Sequence, residues 1–386
     1  MSTVRGILEQ FFRQFEAGFE AINTVEISRS ALLHNFDLLK KLYRAEHVIP
    51  VLKGNAYGHG LESVLKILEE REIPYVAVDG YHEALEVRAM SDLDVLVMGA
   101  VLPENFSKIE TRHVAYVMQD MSILNVLTNN RHALKIHLEF NTGLNRQGFE
   151  AGELKDILAI LKDNPHIELD GVMTQLYDAN NSDQKATKAQ TKAFDAIVEK
   201  ILKAGLKPRY IHLSKTGGLT NSTSRYANTI RPGGGIFGIN PLPENHPFFD
   251  QLDQLRPVLG LYSRVIKLRQ LSKGEGVGYG PTFKASNDIP TAVIPLGYTE
   301  GVSKELSNSG VLTHKGENLP IIGSVGMNHT TVDASNSRVK LWDRVTIISP
   351  NRDAPNSIGR LFKDHNLYYY QVLSGISGDI RRVVVD

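Results

Sequence analysis

The sequence predicts an α/β protein: a (β/α)8 barrel of the TIM type followed by a mostly β C-terminal domain. Two observations predict the barrel. Residues 24–239 alternate short β-branched runs with longer stretches of helical periodicity, the pattern of strands joined by crossover helices. The chemically distinctive residues Lys53, Arg146, Gln175 and Thr216 end or follow expected strands, and Arg231 with its glycines occupies the eighth, in a fold that collects its reactive groups at the strands' C-terminal ends. A third observation predicts the second domain. Beyond about residue 254 the texture changes to short strand candidates separated by Gly, Asn, Ser and Asp, with little helical periodicity.

Taken in order, the barrel strands are expected at 47–52, 75–79, 94–98, 114–118, 134–140, 168–175, 209–213 and 229–239. Helices are expected at 61–70, 81–90, 121–127, 151–163 and 183–204, where apolar residues recur every three to four positions. Eight such strands favour the closed barrel over an open doubly wound sheet. The run 24–28 reads as an extra strand lent to the second domain. There, strands are expected at 259–268, 291–295, 310–313, 319–323, 330–333 and 344–348, then a helix at 361–373 and a last strand at 381–385. Residues 1–22 place Ile7, Leu8, Phe11, Phe12, Phe15, Phe19 and Ile22 on one helical face. The opposite face mixes both charge signs, so packing on protein is expected rather than lying on a membrane. The domain limits are therefore 1–23, 24–254 and 255–386.

A chain of 386 residues has room for two domains with sizeable cores. Forty-three basic residues balance 43 acidic ones, so nothing in the charge points to nucleic acid. With no cysteine, a disulfide framework, a thiolate metal site and a cysteine nucleophile are excluded; no metal is expected. No apolar run reaches membrane-spanning length and no signal-peptide pattern opens the chain, so a cytoplasmic location is expected.

The stretch Val51-Leu52-Lys53-Gly54-Asn55-Ala56-Tyr57-Gly58-His59-Gly60 puts a lysine where a strand hands over to a glycine-framed loop. An amine in such a place loses charge readily and becomes a nucleophile suited to Schiff-base chemistry with a carbonyl. Arg231-Pro232-Gly233-Gly234-Gly235-Ile236-Phe237-Gly238 joins a basic residue to glycines whose amides can approach a phosphate. Standing alone, each of these has a bland reading: a surface lysine, and a crowded strand end.

Together they carry a resemblance. The first stretch is similar to the KANAYGHG motif of alanine racemases, with Gly54 in place of alanine, and the second resembles RPGIALYG. Five further stretches follow in that family's order: 137–146 resembles HLKVDTGMGRLG, 211–216 resembles HIANS, 295–301 resembles VGYADG, 323–328 resembles GRVSMD, and 370–373 resembles YEVL. The resemblance spans everything but the N-terminal extension. It implies a fold-type III, pyridoxal 5′-phosphate (PLP) dependent racemase of alanine, active as a homodimer. On this reading Lys53 binds PLP and is one catalytic base, and Tyr298 is the other. Tyr57, Thr216, Tyr370 and the amides of Gly233 and Gly234 hold the phosphate, while Arg231 and Gln175 lie at the pyridine end. Arg146 contacts cofactor and substrate carboxylate, and Met327 with Asn328 lies at the substrate's carboxylate end. An arginine facing the ring nitrogen keeps that nitrogen unprotonated and the ring a weaker electron sink, which suits rapid return of a proton to the same carbon.

Three residues depart from the family pattern. Glu139 stands where many members have a carbamylated lysine, and it supplies an anion without modification. Gln175 replaces a histidine and cannot titrate. Asn328 replaces an aspartate, which is expected to loosen the preference for alanine. The rival readings are a decarboxylase of the same architecture, which would require the catalytic cysteine this chain lacks, and a PLP-binding racemase-like protein with a sensor role. A PLP-homeostasis protein would lack the second domain.

Overall fold

The computed structural model describes residues 19–129, 132–218, 224–280 and 282–386. The chain divides into two compact units, Ile27–Leu259 with Val384–Asp386, and Met1–Glu26 with Gly260–Val383. The helix expected over residues 1–22 falls mostly outside the described residues; its last part, 19–22, is not helical. None of the described helices is long and apolar enough to cross a membrane.

Strand β1 (Thr24–Ser28) joins the sheet of the second unit. The barrel strands are β2 (His47–Val48), β3 (Val76–Val78), β4 (Val95–Val97), β5 (Val114–Met118), β6 (Leu134–Glu139), β7 (Ile167–Met173), β8 (Tyr210–Ser214) and β9 (Thr229–Ile230). They form one eight-stranded sheet in the order β2-β9-β8-β7-β6-β5-β4-β3, and every pair is parallel. A parallel bridge between Val51 and Ala77 joins its ends and closes the ring. The predicted barrel is therefore what forms.

Two strands are shorter than predicted. Pro50 has no N–H to give, so regular pairing of β2 stops before it, although Ile49 and Val51 still bond Ile230 and Pro232 at 2.8 and 3.0 Å. The stretch expected as a strand to residue 239 ends at Ile230, because the glycine run 233–235 instead folds into successive turns that close on Gly233, Gly234 and Gly235 carbonyls. A helix not predicted, Arg29–Tyr43, starts on the Ser28 side-chain cap and buries Ala31, Leu32, Leu33, Phe36 and Leu39. Its buried Asn35 donates to Ile236 O and Arg256 O at 2.9 and 2.7 Å and accepts from Arg256 N at 2.7 Å. That amide ties the helix to the glycine turn.

In the second unit β10 (Leu259–Arg264) lies in a six-stranded sheet that also holds β1, a hairpin (Val311–His314 with Glu317–Pro320), Arg344–Ile348 and Arg381–Val385. Lys267–Leu271, Ile289–Ile294 and Thr330–Asp333 form a separate three-stranded sheet. The helix expected over 361–373 is two helices, Ile358–His365 and Tyr369–Ser374, because Asn366 adopts the left-handed conformation with φ 55° and caps the first.

The barrel interior is apolar toward one end, with Ile49, Val51, Tyr75, Ala77, Leu96, Ala115, Val117, Met173 and Tyr210 in one cluster. A buried polar chain runs beside it. Arg231 donates to Nδ1 of His212, whose Nε2 lies 2.8 Å from His137 Nδ1. Arginine cannot accept, so His212 carries its proton on Nε2, donates to His137, and leaves the His137 Nε2 proton toward Asp170. That nitrogen is 3.8 Å from Asp170 Oδ2. Asp170 in turn accepts from the Tyr75 hydroxyl and Arg209 Nε, both at 2.6 Å. Burial lowers the pKa of both histidines, so they sit neutral. Burial alone would raise the Asp170 carboxyl; His137, Tyr75 and Arg209 outweigh it and hold it well below the usual carboxylate range.

Asp170→Asn should therefore destabilise the barrel by about 2–4 kcal/mol at pH 7, because Arg209 and Tyr75 lose a buried anion. Since the folded pKa lies below the unfolded one, this contribution is present above the ordinary carboxylate value and is lost as pH falls. The gap between variant and wild type in denaturant midpoint should shrink as pH drops from about 4 toward 2; an equal gap at pH 3 and pH 7 would remove the ionised carboxylate from the account.

Candidate active site

Each predicted barrel residue stands past the C-terminal end of a strand. Lys53 follows β2; Arg146 lies in the loop after β6, Gln175 in that after β7 and Thr216 in that after β8; Arg231 comes directly after β9. The structure thus gathers Lys53, Tyr57, Gln175, Thr216, Arg231, Gly233 and Gly234 at one mouth, with Arg146 on its rim.

Lys53 opens a single left-handed turn in which Gly54, Asn55, Ala56 and Tyr57 have φ values of 63°, 54°, 53° and 52°. L-residues resist this conformation by about 1–2 kcal/mol each, so the surrounding bonds must hold it. Asn55 Oδ1 accepts from Leu61 N at 2.8 Å, and Ala56 is wholly buried. The Lys53 amine is half exposed and lies 3.7 Å from Asp79 Oδ1. The turn delivers Tyr57 against Phe237, ring centroids 5.6 Å apart, while His59 stacks on the same ring at 4.1 Å.

Arg231 is 3% exposed. Besides His212 it bonds Thr174 O at 3.0 Å and Gln175 Oε1 at 3.2 Å through Nη2. These bonds account for three of its five N–H groups. Burial draws the guanidinium down to about 10, with the Glu139 charge acting the other way, so it remains charged at neutral pH. Gln175 thus meets Arg231 as a neutral acceptor.

Glu139, at the end of β6, is 2% exposed. Its Oε2 accepts from Gln147 Nε2 at 2.7 Å. Burial raises its carboxyl, opposed by Gln147 and by the charges of Arg231 and Arg146. The direct partner is therefore Gln147, whereas Arg146 is exposed and acts on Glu139 through space. The loop is shaped by Asn141, whose Oδ1 accepts from Gly143 N and Asn145 N at 3.1 Å. Burial also lowers the neighbouring Lys215, with Arg146 adding to the effect.

A phosphorylated pyridine ring fits this mouth on three counts. The buried N–H groups of Gly233 and Gly234 meet no acceptor among the described residues. A Cβ at Gly233 would lie 2.6 Å from the Tyr57 hydroxyl, and one at Gly235 2.5 Å from Thr216 Cγ2, so only glycine lets these groups close on a small anion. Thr216 Oγ1 already accepts from Gly235 N at 3.0 Å, which turns its own hydrogen outward as a donor.

The second unit holds its own cluster. Tyr298 N bonds Gly326 O at 3.1 Å, and Thr299 N and Oγ1 bond Met327 O at 3.2 and 2.8 Å. Asn328 Nδ2 donates to Thr299 Oγ1 and to Glu300 Oε1. Tyr298, Met327 and Asn328 are thus one assembly, with Tyr298 46% and Met327 57% exposed. Tyr370 packs among Tyr368 and Tyr369.

Sequence reasoning missed several organising residues. Gln190, 2% exposed on the helix Lys185–Lys203, donates to Thr142 Oγ1 at 3.0 Å and Gln175 O at 3.1 Å and accepts from Tyr177 N at 3.0 Å, binding two mouth loops together. Its signal was a glutamine on the apolar face of that helix. Asp170, His137, His212 and Asn35 carried no such signal, since their partners lie far off in sequence.

The model of the alanine racemase N-terminal domain matches residues 27–241, and that of the C-terminal domain matches residues 258–384. The alanine racemase of Sorangium cellulosum is 31% identical over 92% of this chain and 93% of its own length. A solved alanine racemase from Bacillus anthracis with bound L-Ala-P is 26% identical, with TM-score 0.85 over 95% of this chain and 96% of that one. The fold also matches the alanine racemase of Bartonella henselae with covalently bound pyridoxal phosphate, at TM-score 0.81 and 20% identity over 95% of this chain and all of that one. With both domain models matched in order along the chain, the protein belongs to the alanine racemase family.

Proposed function

We propose that the chain is a PLP-dependent alanine racemase using two bases, Lys53 and Tyr298, with the cofactor held at the barrel mouth. The observation that carries this reading is that Lys53, a buried charged Arg231 and the Gly233 and Gly234 amides, which meet no acceptor among the described residues, follow the neighbouring strands β2 and β9. When bound, pyridoxal 5′-phosphate withdraws electrons from the substrate's α-carbon and so acidifies its hydrogen. The N–H groups of Gly233 and Gly234, Thr216 Oγ1 and the Tyr57 and Tyr370 hydroxyls would hold its phosphate, and Arg231, oriented by Gln175, would lie at its pyridine end. Arg146 and Met327-Asn328 receive the substrate carboxylate.

Lys53 Nζ then takes or gives a proton at one face of the α-carbon and Tyr298 Oη does so at the other. Each base must come within hydrogen-bond reach of that proton. Because removal and return occur on opposite faces, the centre inverts. The exposure of Tyr298 supports the further proposal that the active species is a homodimer in which Tyr298 serves the partner's site. The domain limits 24–254 and 255–386 and a cytoplasmic location belong to the same proposal.

Three outcomes test this reading. Borohydride treatment of the holoprotein should fix the cofactor on Lys53 alone; label on any other lysine in a peptide map would overturn the assignment. Mixing Lys53→Ala with Tyr298→Phe should restore about a quarter of wild-type activity, since about half the dimers are hybrids with one of two sites intact. A fully active monomer in sedimentation would defeat this. Serine should be racemised within about a hundredfold of alanine, since apolar pockets discriminate small groups by only about 10- to 200-fold. Asn328→Asp by itself sets a carboxylate against Glu300 and should lower turnover of both substrates. Combined with Glu300→Gln it should narrow the range toward alanine, and a wild type strictly confined to alanine would show that Asn328 does not set specificity.

A further inference from the structure

The turn that carries Lys53 is strained, and its own residues account for only part of what holds it. Asn55 Oδ1 and O clamp the later half through Leu61 N and Gly60 N at 2.8 and 3.1 Å. The early half, where the lysine sits, is held from another loop. Glu83, third residue of the helix Tyr81–Met90, points Oε1 at Gly54 N, 2.7 Å away, and Oε2 at Asp79 N and Gly80 N, 2.8 and 3.2 Å away. The Gly80 and Asp79 contacts are what a carboxylate does when it caps its own helix. Gly54 lies 29 positions earlier and has no part in that helix.

We infer that Glu83 is the positioning residue of the Lys53 turn: one carboxylate fixes the peptide that follows Lys53 and the backbone of Asp79, whose side chain faces the lysine amine. This rests on Lys53 being the cofactor-bearing base. Both oxygens of Glu83 are engaged by backbone donors, so a charged, acceptor-only group is required. A glutamine of the same shape presents an amide NH2 to one set of N–H groups and must abandon either Gly54 or the Asp79–Gly80 pair. With Gly54 N–H released, the start of the turn keeps only its own bonds, Ala56 N to Leu52 O and Gly58 N to Gly54 O at 2.8 and 3.0 Å, in a left-handed conformation its residues resist. The Lys53 amine would then sample positions away from the reacting carbon, and a displacement of even an ångström is costly in rate.

The test compares holoprotein of wild type, Glu83→Gln, Glu83→Ala and the control Glu86→Gln, an exposed residue on the same helix. Residue-resolved amide exchange should show Gly54, Asp79 and Gly80 all exchanging at least about tenfold faster in Glu83→Ala, and Gly54 doing so in Glu83→Gln, whose one amide oxygen stays on the Asp79–Gly80 pair of its own helix, with β6 amides unchanged in both. The kcat for alanine should fall at least about tenfold while KM moves less than about threefold, and the cofactor's visible absorbance should shift as its lysine linkage loosens. Glu86→Gln should match wild type throughout. If only Gly80 exchanges faster, Glu83 is a helix cap and the inference fails. It also fails if Gly54 is released while kcat and the spectrum stay as in wild type. Should Glu83→Ala not fold, the isosteric Gln variant decides alone. Borohydride labelling of wild type away from Lys53 would instead overturn the cofactor assignment, leaving the exchange result to stand for the turn itself.

Discussion

The molecule is organised around one buried cation. A guanidinium at 3% exposure loses most of its hydration, and such burial is tolerated only when its donors are met. Here the acceptors of Arg231 are His212, the Thr174 carbonyl and Gln175, all uncharged. Among the described residues no carboxylate bonds it, so its charge is solvated by dipoles. The same charge presses on its neighbours. It adds to burial in keeping His212 and His137 neutral, and that neutrality gives the chain from Arg231 to Asp170 a single proton direction. A protonated His212 would meet Arg231 with two donors and nothing to accept. The polar interior is thus a consequence of placing arginine there, and Asp170 closes it with a compensating anion at the other end of the chain from Arg231.

Around that fixed charge the backbone supplies what side chains cannot. The left-handed turn after Lys53 and the turns after Arg231 both abandon regular structure at the mouth, and the second leaves the Gly233 and Gly234 N–H groups, which a strand would consume, without an acceptor among the described residues. Strain of this sort persists only where the surroundings over-determine it. For the glycine turn the surroundings are Asn35 and the helix Arg29–Tyr43; for the lysine turn they are Asn55 and Glu83.

Much of this was legible in the sequence, and the part that was not has a physical pattern. The strand–helix alternation gave the barrel because crossover units impose local periodicity, and helices such as Tyr81–Met90 and Met121–Leu127 fell where apolar spacing put them. Lys53, Arg231 and the glycines were visible because unusual residues interrupt apolar runs. The helix Arg29–Tyr43 escaped notice because its charged residues blur the apolar stripe. The strand drawn through Gly233–Gly235 failed because apolar flanks mimic a buried strand, while the glycines that break it were read as a phosphate cradle or a crowded strand end. Glu83, Asn35, Asp170 and Gln190 share a property that no window of sequence contains: each bonds a partner more than a dozen residues away, and its meaning exists only once the chain has closed.

The three departures from the family pattern fall into place by the same electrostatic argument. With Arg231 charged and its contacts neutral, the carboxyl that acts on it is Glu139, raised by burial and held by Gln147. A carboxylate fixed there acts on Arg231 and Arg146 without a covalent modification whose extent would vary with bicarbonate. Gln175 contributes an acceptor that cannot take up a proton, so it cannot place a second cation beside Arg231 at any pH. Asn328 is matched to its own surroundings, since its amide donates to the Glu300 carboxylate that shapes the Tyr298 loop. An aspartate there would need that loop to be charged differently. Each departure therefore preserves local charge balance.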